Sequence, residues 1–164
     1  MERESDNEER EQAQAAFEEA YRLQMNGDLE SAKALYRESI AHYPTAEAYT
    51  FLGWTYSFQN RLDDAIAECR KAIDVDPTFG NPYNDIGAYL IQKGQIDEAI
   101  PWFRQALEAS RYESYCFPYV NLGRAYEAKR FWLRALAEYR KALRERPEYK
   151  PARQGVARML GYLN

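Results

Sequence analysis

The sole histidine of the chain, His42, stands beside Tyr43 and Pro44 near the end of a helical stretch, where the helix C-terminus alone accounts for an imidazole. Cys69 and Cys116 are too few for a disulfide framework and lack the spacing of metal ligands. Cys69 falls on a core position as a small hydrophobe; Cys116, at a loop-to-helix junction, is expected to be the more accessible of the two. The paired carboxylates Asp63-Asp64 and Asp97-Glu98 open helices, a placement that favours the helix dipole without implying chemistry. No Gly-rich phosphate loop, nucleophile elbow or metal-ligand cluster appears, so the sequence predicts no enzyme, no cofactor and no metal. The residues with chemical reach are suited instead to recognition. Tyr21 and Trp54 are large surfaces that can anchor a partner side chain, and Asn84 and Asn121 can each donate to and accept from an extended backbone. Arg124 and Arg158 can hold a carboxylate with both prongs of a guanidinium.

Residues of this kind need a rigid frame, and the pattern that supplies it is plainest between Tyr83 and Leu107. Tyr83, Ile86, Gly87 and Leu90 recur at helical spacing, Gly94 follows as a hinge, and Ala99, Phe103, Ala106 and Leu107 then repeat the period. Two helices folded back on each other result. Gly87 and Ala99 let the backbones approach while Tyr83 and Phe103 fill the space beside them. Little alternation of apolar and polar residues leaves almost no room for strands, so the class is all-α.

At 164 residues and 46% hydrophobic composition, the chain can bury a sizeable shared core. No apolar run approaches the roughly 20 residues that span a bilayer, and the charged start lacks the apolar core of a secretory signal. No membrane insertion and a cytoplasmic location are the expectations. The net charge of −4 hides an asymmetry. Residues 1–12 carry six acids and two bases, residues 13–123 sixteen and nine, and residues 124–164 four and eleven, giving −4, −7 and +7. The basic end could attract an acidic protein, nucleic acid or the acidic end of a second copy; a solvated basic helix surface is the simpler reading.

In order, residues 1–12 read as a charged, flexible leader, helical near Glu8 to Gln12. Four helix pairs follow over residues 13–45, 46–79, 80–115 and 116–149, turning near Gly27, Asn60, Gly94 and Arg130. Pro44, Pro77 and Pro147 close three of them, while the third lacks its proline and runs into the least regular linker. Residues 150–164 form a last helix that caps the array with Val156, Met159, Leu160 and Leu163. The pairs align on Ala32, Ala65, Ala99 and Ala135, separated by 33, 34 and 36 residues, a period that indicates a helical solenoid.

These units carry a recognisable signature: Tyr49, Leu52-Gly53, Tyr56, Ala65, Cys69 and Pro77 in the second, and Tyr119, Leu122-Gly123, Tyr126, Ala135, Tyr139 and Pro147 in the fourth. The chain resembles tetratricopeptide repeat proteins, whose pattern is W-x2-L-G-x2-Y, then A-x3-F, then P. The resemblance implies a right-handed superhelical α-solenoid of antiparallel helix pairs, with the first helix of each pair lining a concave side. Mapped onto that face, the candidate groove comprises Tyr21 and Gln24 beside Phe17, then Thr50, Trp54 and Ser57, then Asn84 and Ile91 beside Ala88. Val120, Arg124 and Glu127 continue it, with Gln154 and Arg158 from the cap and Phe58, Asn81 and Asn121 at its margins. Some relatives clamp the acidic tails of heat-shock chaperones with Lys, Asn and Arg; the corresponding positions here hold Phe17, Tyr21, Phe51, Asn81 and Asp85, so that clamp is absent.

The expected function is a non-catalytic scaffold or adaptor that binds a protein or peptide with aromatic or hydrophobic groups and an acidic group. Phe131, at the last turn, offers a second contact that includes self-association. Two alternatives stand beside this one. A secretion-type or assembly chaperone for a hydrophobic client has a similar size, although such chaperones usually have three repeats. A nucleic-acid binder would use the basic C-terminal end, whose charges are spread around two helices rather than gathered on one face.

Overall fold

The structure, a computed structural model, describes residues 2–164, with side chains described from Asp6 onward. Its described residues form helices without a named strand, in two compact units that divide between Pro77 and Thr78.

The first unit holds α1 (Glu2–Met25), α2 (Leu29–His42), α3 (Ala46–Phe58) and α4 (Leu62–Val75). Helix α1 begins at Glu2, well before Ala13, and the side chains from Asp6 to Gln12 are exposed along it. Small residues draw the helices of each pair together: Ala20, Ala32, Ala65 and Ala72 have no solvent exposure. A Cβ on Gly53 of α3 would lie 2.9 Å from the Ala65 carbonyl oxygen of α4, so this crossing admits no side chain. Asp28 and Thr45 cap α2 and α3 by accepting from the backbone N–H groups of Ser31 and Ala48. The buried Ser39 hydroxyl donates to the Ala13 carbonyl at 2.7 Å and ties α2 back to α1.

The second unit holds α5 (Asn81–Gln92), α6 (Ile96–Glu108), α7 (Cys116–Ala128), α8 (Trp132–Glu145) and α9 (Lys150–Leu163). The Phe103 ring of α6 lies against Gly87 of α5, where an added Cβ would sit 2.5 Å from a ring carbon. Tyr139 of α8 does the same twice, against Gly123 of α7 and Gly155 of α9, at 2.6 and 2.7 Å. Trp132 stacks on Tyr162 with ring centroids 4.6 Å apart, adding a second contact between α8 and α9.

The linker after α6, irregular by sequence, is held by backbone bonds. Arg111 N–H donates to the Thr78 carbonyl at 2.9 Å, and Gly80 N–H donates to the Arg111 carbonyl at 3.0 Å. Tyr112 fills the space that a Gly80 side chain would need. Cys116 is buried, at 1% exposure, so the accessibility expected for its thiol is not found. Burial pushes the thiol's pKa up, away from reactivity.

Each turn inside a pair passes through the left-handed region, at Gly27 (φ 85°), Asn60 (57°), Gly94 (78°) and Arg130 (62°). Glycine and asparagine suit that backbone, whereas arginine is strained there. Arg130→Gly is therefore expected to stabilise the second unit by about 1 kcal/mol, checked by thermal melting.

Candidate functional site

On the first unit, Tyr21 and Trp54 are joined through a residue outside the expected set. Phe51 of α3 meets Phe17 and Tyr21 of α1 edge-on, at centroid distances of 5.3 and 5.7 Å, and Trp54 at 5.7 Å. Phe58 continues the run at 5.2 Å from Trp54. Tyr21 and Phe58 keep 42% and 55% of their surface exposed, so the run is open to a partner at both ends. Residues at i, i+3 and i+7 of α3 meeting two residues at i and i+4 of α1 could have revealed Phe51 as the hub.

Other members of the stripe are turned to structural use. Thr50 is buried and donates its hydroxyl to the Ala46 carbonyl at 2.7 Å, and Ser57 donates to Trp54 O at 2.7 Å. Gln24 is buried and accepts a 2.7 Å hydrogen bond from the Tyr36 hydroxyl. A ligand resting on the surface does not reach Thr50, because helix packing covers it.

On the second unit, Asn121 Nδ2 donates to Asn84 Oδ1 at 3.0 Å, and Arg124 Nη1 donates to Asn121 Oδ1 at 3.3 Å. The two asparagines and Arg124 thus form one polar strip across α5 and α7, with Arg124 exposed. Asn81 and Ile91 are half-buried toward either end of α5, and Gln154 is exposed on α9. Val120 is 1% exposed and belongs to the core, not the strip.

Arg158 is not a free grip for a partner carboxylate. Its Nε and Nη2 donate to the two oxygens of Glu127 at 2.9 Å each, and Tyr139 adds its hydroxyl to the same carboxylate at 2.6 Å. The Arg158 bond foremost, with help from Tyr139, holds the Glu127 pKa below the usual carboxylate range. The sequence places these groups 31 residues apart, so their pairing is invisible before the helices are packed.

Asp85, beside Asn84 on α5, is the other departure. Burial raises its pKa to about 7, against a smaller opposing effect from the Asn84 hydrogen bond. The Tyr112 phenol is near enough to feel the charge, and burial raises its pKa further still.

At the last turn, Phe131 is exposed between Lys129 and Arg134, whose cations lie 5.4 Å from its ring centroid. Among the described residues no group of three or more His, Cys, Asp and Glu side chains could hold a metal ion, and no helix is long and apolar enough to cross a membrane.

Residues 46–79 and 81–112 match the family model of the tetratricopeptide repeat. No curated protein matches the sequence. Among solved structures, PilF of Pseudomonas aeruginosa is similar with a TM-score of 0.87 at 21% identity, over 94% of this chain and 70% of that one. YrrB, described as a TPR protein with an unusual peptide-binding site, gives 0.67 at 20% identity, over 90% and 75%. The first TPR of Spaghetti (RPAP3), bound to an HSP90 peptide, gives 0.67 at 22% identity, over 73% and 93%. Identities this low speak for the fold alone. The family model thus identifies α3 to α6 as tetratricopeptide repeats, α7 and α8 are joined by the same contact of ring on glycine as α5 and α6, and the fold of the chain is that of tetratricopeptide repeat structures.

Proposed function

We propose that this chain is a non-catalytic scaffold that binds a peptide or protein segment through the first helices of its pairs. The observation that carries the reading is the aromatic run from Tyr21 through Phe51 and Trp54 to Phe58. Aromatic groups that remain partly exposed are suited to anchoring a partner, because each offers large contact area at little cost in side-chain freedom. The Asn84, Asn121 and Arg124 strip adds donors and acceptors of the kind an extended backbone uses, and Arg124 can meet an acidic group. The peptide site named for YrrB and the peptide bound to the first TPR of Spaghetti lend support by analogy of fold.

Panning a library of displayed random peptides on the full chain tests this. Selected peptides are expected to bind Trp54→Ala and Tyr21→Ala about tenfold more weakly than wild type. Failure to select any peptide, or unchanged affinity for both variants, overturns the reading.

A further inference from the structure

The turn after α1 and the end of α3 enclose a cleft of about 310 Å³, lined by Gln24, Met25, Gly27, Leu29, Trp54 and Phe58. Its chemistry is lopsided. Met25, Leu29 and Phe58 are apolar, Trp54 is apolar but for its indole N–H, none of the lining residues is charged, and Gln24 supplies an amide.

Gln24 is 4% exposed, and its two amide atoms fare differently. The oxygen accepts from the buried Tyr36 hydroxyl at 2.7 Å, while Nε2 has no hydrogen-bond partner. Burial raises the Tyr36 pKa, so the phenol keeps the proton that it donates to the Gln24 oxygen. A buried amide nitrogen without an acceptor is unfavourable, and native folds keep few of them without a reason.

We propose that this cleft receives one bulky apolar side chain (Leu, Met, Phe or Trp) of an extended peptide, whose adjacent backbone carbonyl accepts a hydrogen bond from Gln24 Nε2. The proposal rests on the peptide-binding reading and adds the chemistry of the bound residue. The cleft is at the small end of the roughly 300–1,000 Å³ usual for ligand sites, enough for one large side chain but not for a helix. A charged group placed there would lose its water and meet no counter-charge. An apolar group loses nothing by entering, and the carbonyl beside it supplies the oxygen that the amide lacks. Met25 and Phe58, each more than half exposed, form walls that can adjust around the guest; an unbranched thioether adapts readily.

The test uses the full chain and the peptides selected by panning, with isothermal titration and side-chain amide NMR. Gln24→Glu keeps an oxygen for the Tyr36 hydroxyl and removes the donor, so it is expected to weaken the selected peptides at least fivefold. Replacing the peptide's anchoring apolar residue by Glu should weaken binding at least as much. In wild type, the Gln24 side-chain amide resonance should shift saturably with added peptide, a readout that survives if the variant folds poorly. If peptides bind and depend on Trp54 but leave the Gln24 resonance unmoved, the cleft assignment falls while the broader reading stands. If no peptide is selected, both fall.

Discussion

Replacing Tyr139 by alanine is expected to cost the second unit about 4 kcal/mol, near the upper end for loss of a buried aromatic ring. The ring has no solvent exposure and is shared by three helices: it belongs to α8 and presses on Gly123 of α7 and Gly155 of α9. Removing it leaves a void that none of the three can fill without moving backbone. It also removes the hydroxyl that donates to Glu127, although that carboxylate keeps both bonds from Arg158. Tyr139→Phe separates the two contributions, since it deletes only the hydroxyl and should cost about 1 kcal/mol. The converse change, Gly155→Ala, puts a methyl group 2.7 Å from ring carbons and should cost about 2 kcal/mol through overpacking. Urea denaturation followed by helical circular dichroism measures all three. A loss below about 1 kcal/mol for Tyr139→Ala would show that the ring is not the joint between these helices.

Asp85→Asn is expected to stabilise the protein by about 2 kcal/mol at pH 8, with a gain that shrinks as the pH is lowered toward 4. The carboxyl titrates near pH 7 in the folded chain and near its ordinary value of 3.8 in the unfolded one. The folded state therefore binds this proton more tightly. Stability associated with Asp85 is complete below the unfolded pKa, declines as pH rises between the two values and is lost once pH exceeds the folded one. Asparagine never ionises, so the variant escapes the penalty. Thermal melts of wild type and variant at intervals between pH 4 and pH 8 give the comparison. A difference that stays constant across this range would mean that Asp85 is not held in a desolvated setting.

The sequence was most informative where a property depends on near neighbours. The left-handed turns at Gly27, Asn60 and Gly94 follow from residues that tolerate that backbone, and Gly87 opposite Phe103 follows from helical spacing across one hinge. All-α architecture and repeat identity were legible for the same reason. Less legible were properties that depend on how far a neighbouring helix rotates. A stripe drawn at i, i+4 and i+7 cannot separate Trp54, which remains partly open, from Thr50, which is covered, because a small rotation moves either across the boundary. Val120 was misplaced toward the surface by the same ambiguity. Glu127 and Arg158 find each other only after α9 docks, and Asp85 comes near Tyr112, which the linker without periodicity supplies.

The two-sided seat of Tyr139 has a consequence for the order in which the chain is made. Gly123 leaves the ribosome before the ring, but Gly155 emerges sixteen residues after it. A nascent α7 and α8 hairpin can therefore cover one face of the aromatic side chain while the other waits, wet, for a helix still being translated. Its final consolidation waits until α9 has emerged, which makes α9 the latch on the paired α7 and α8.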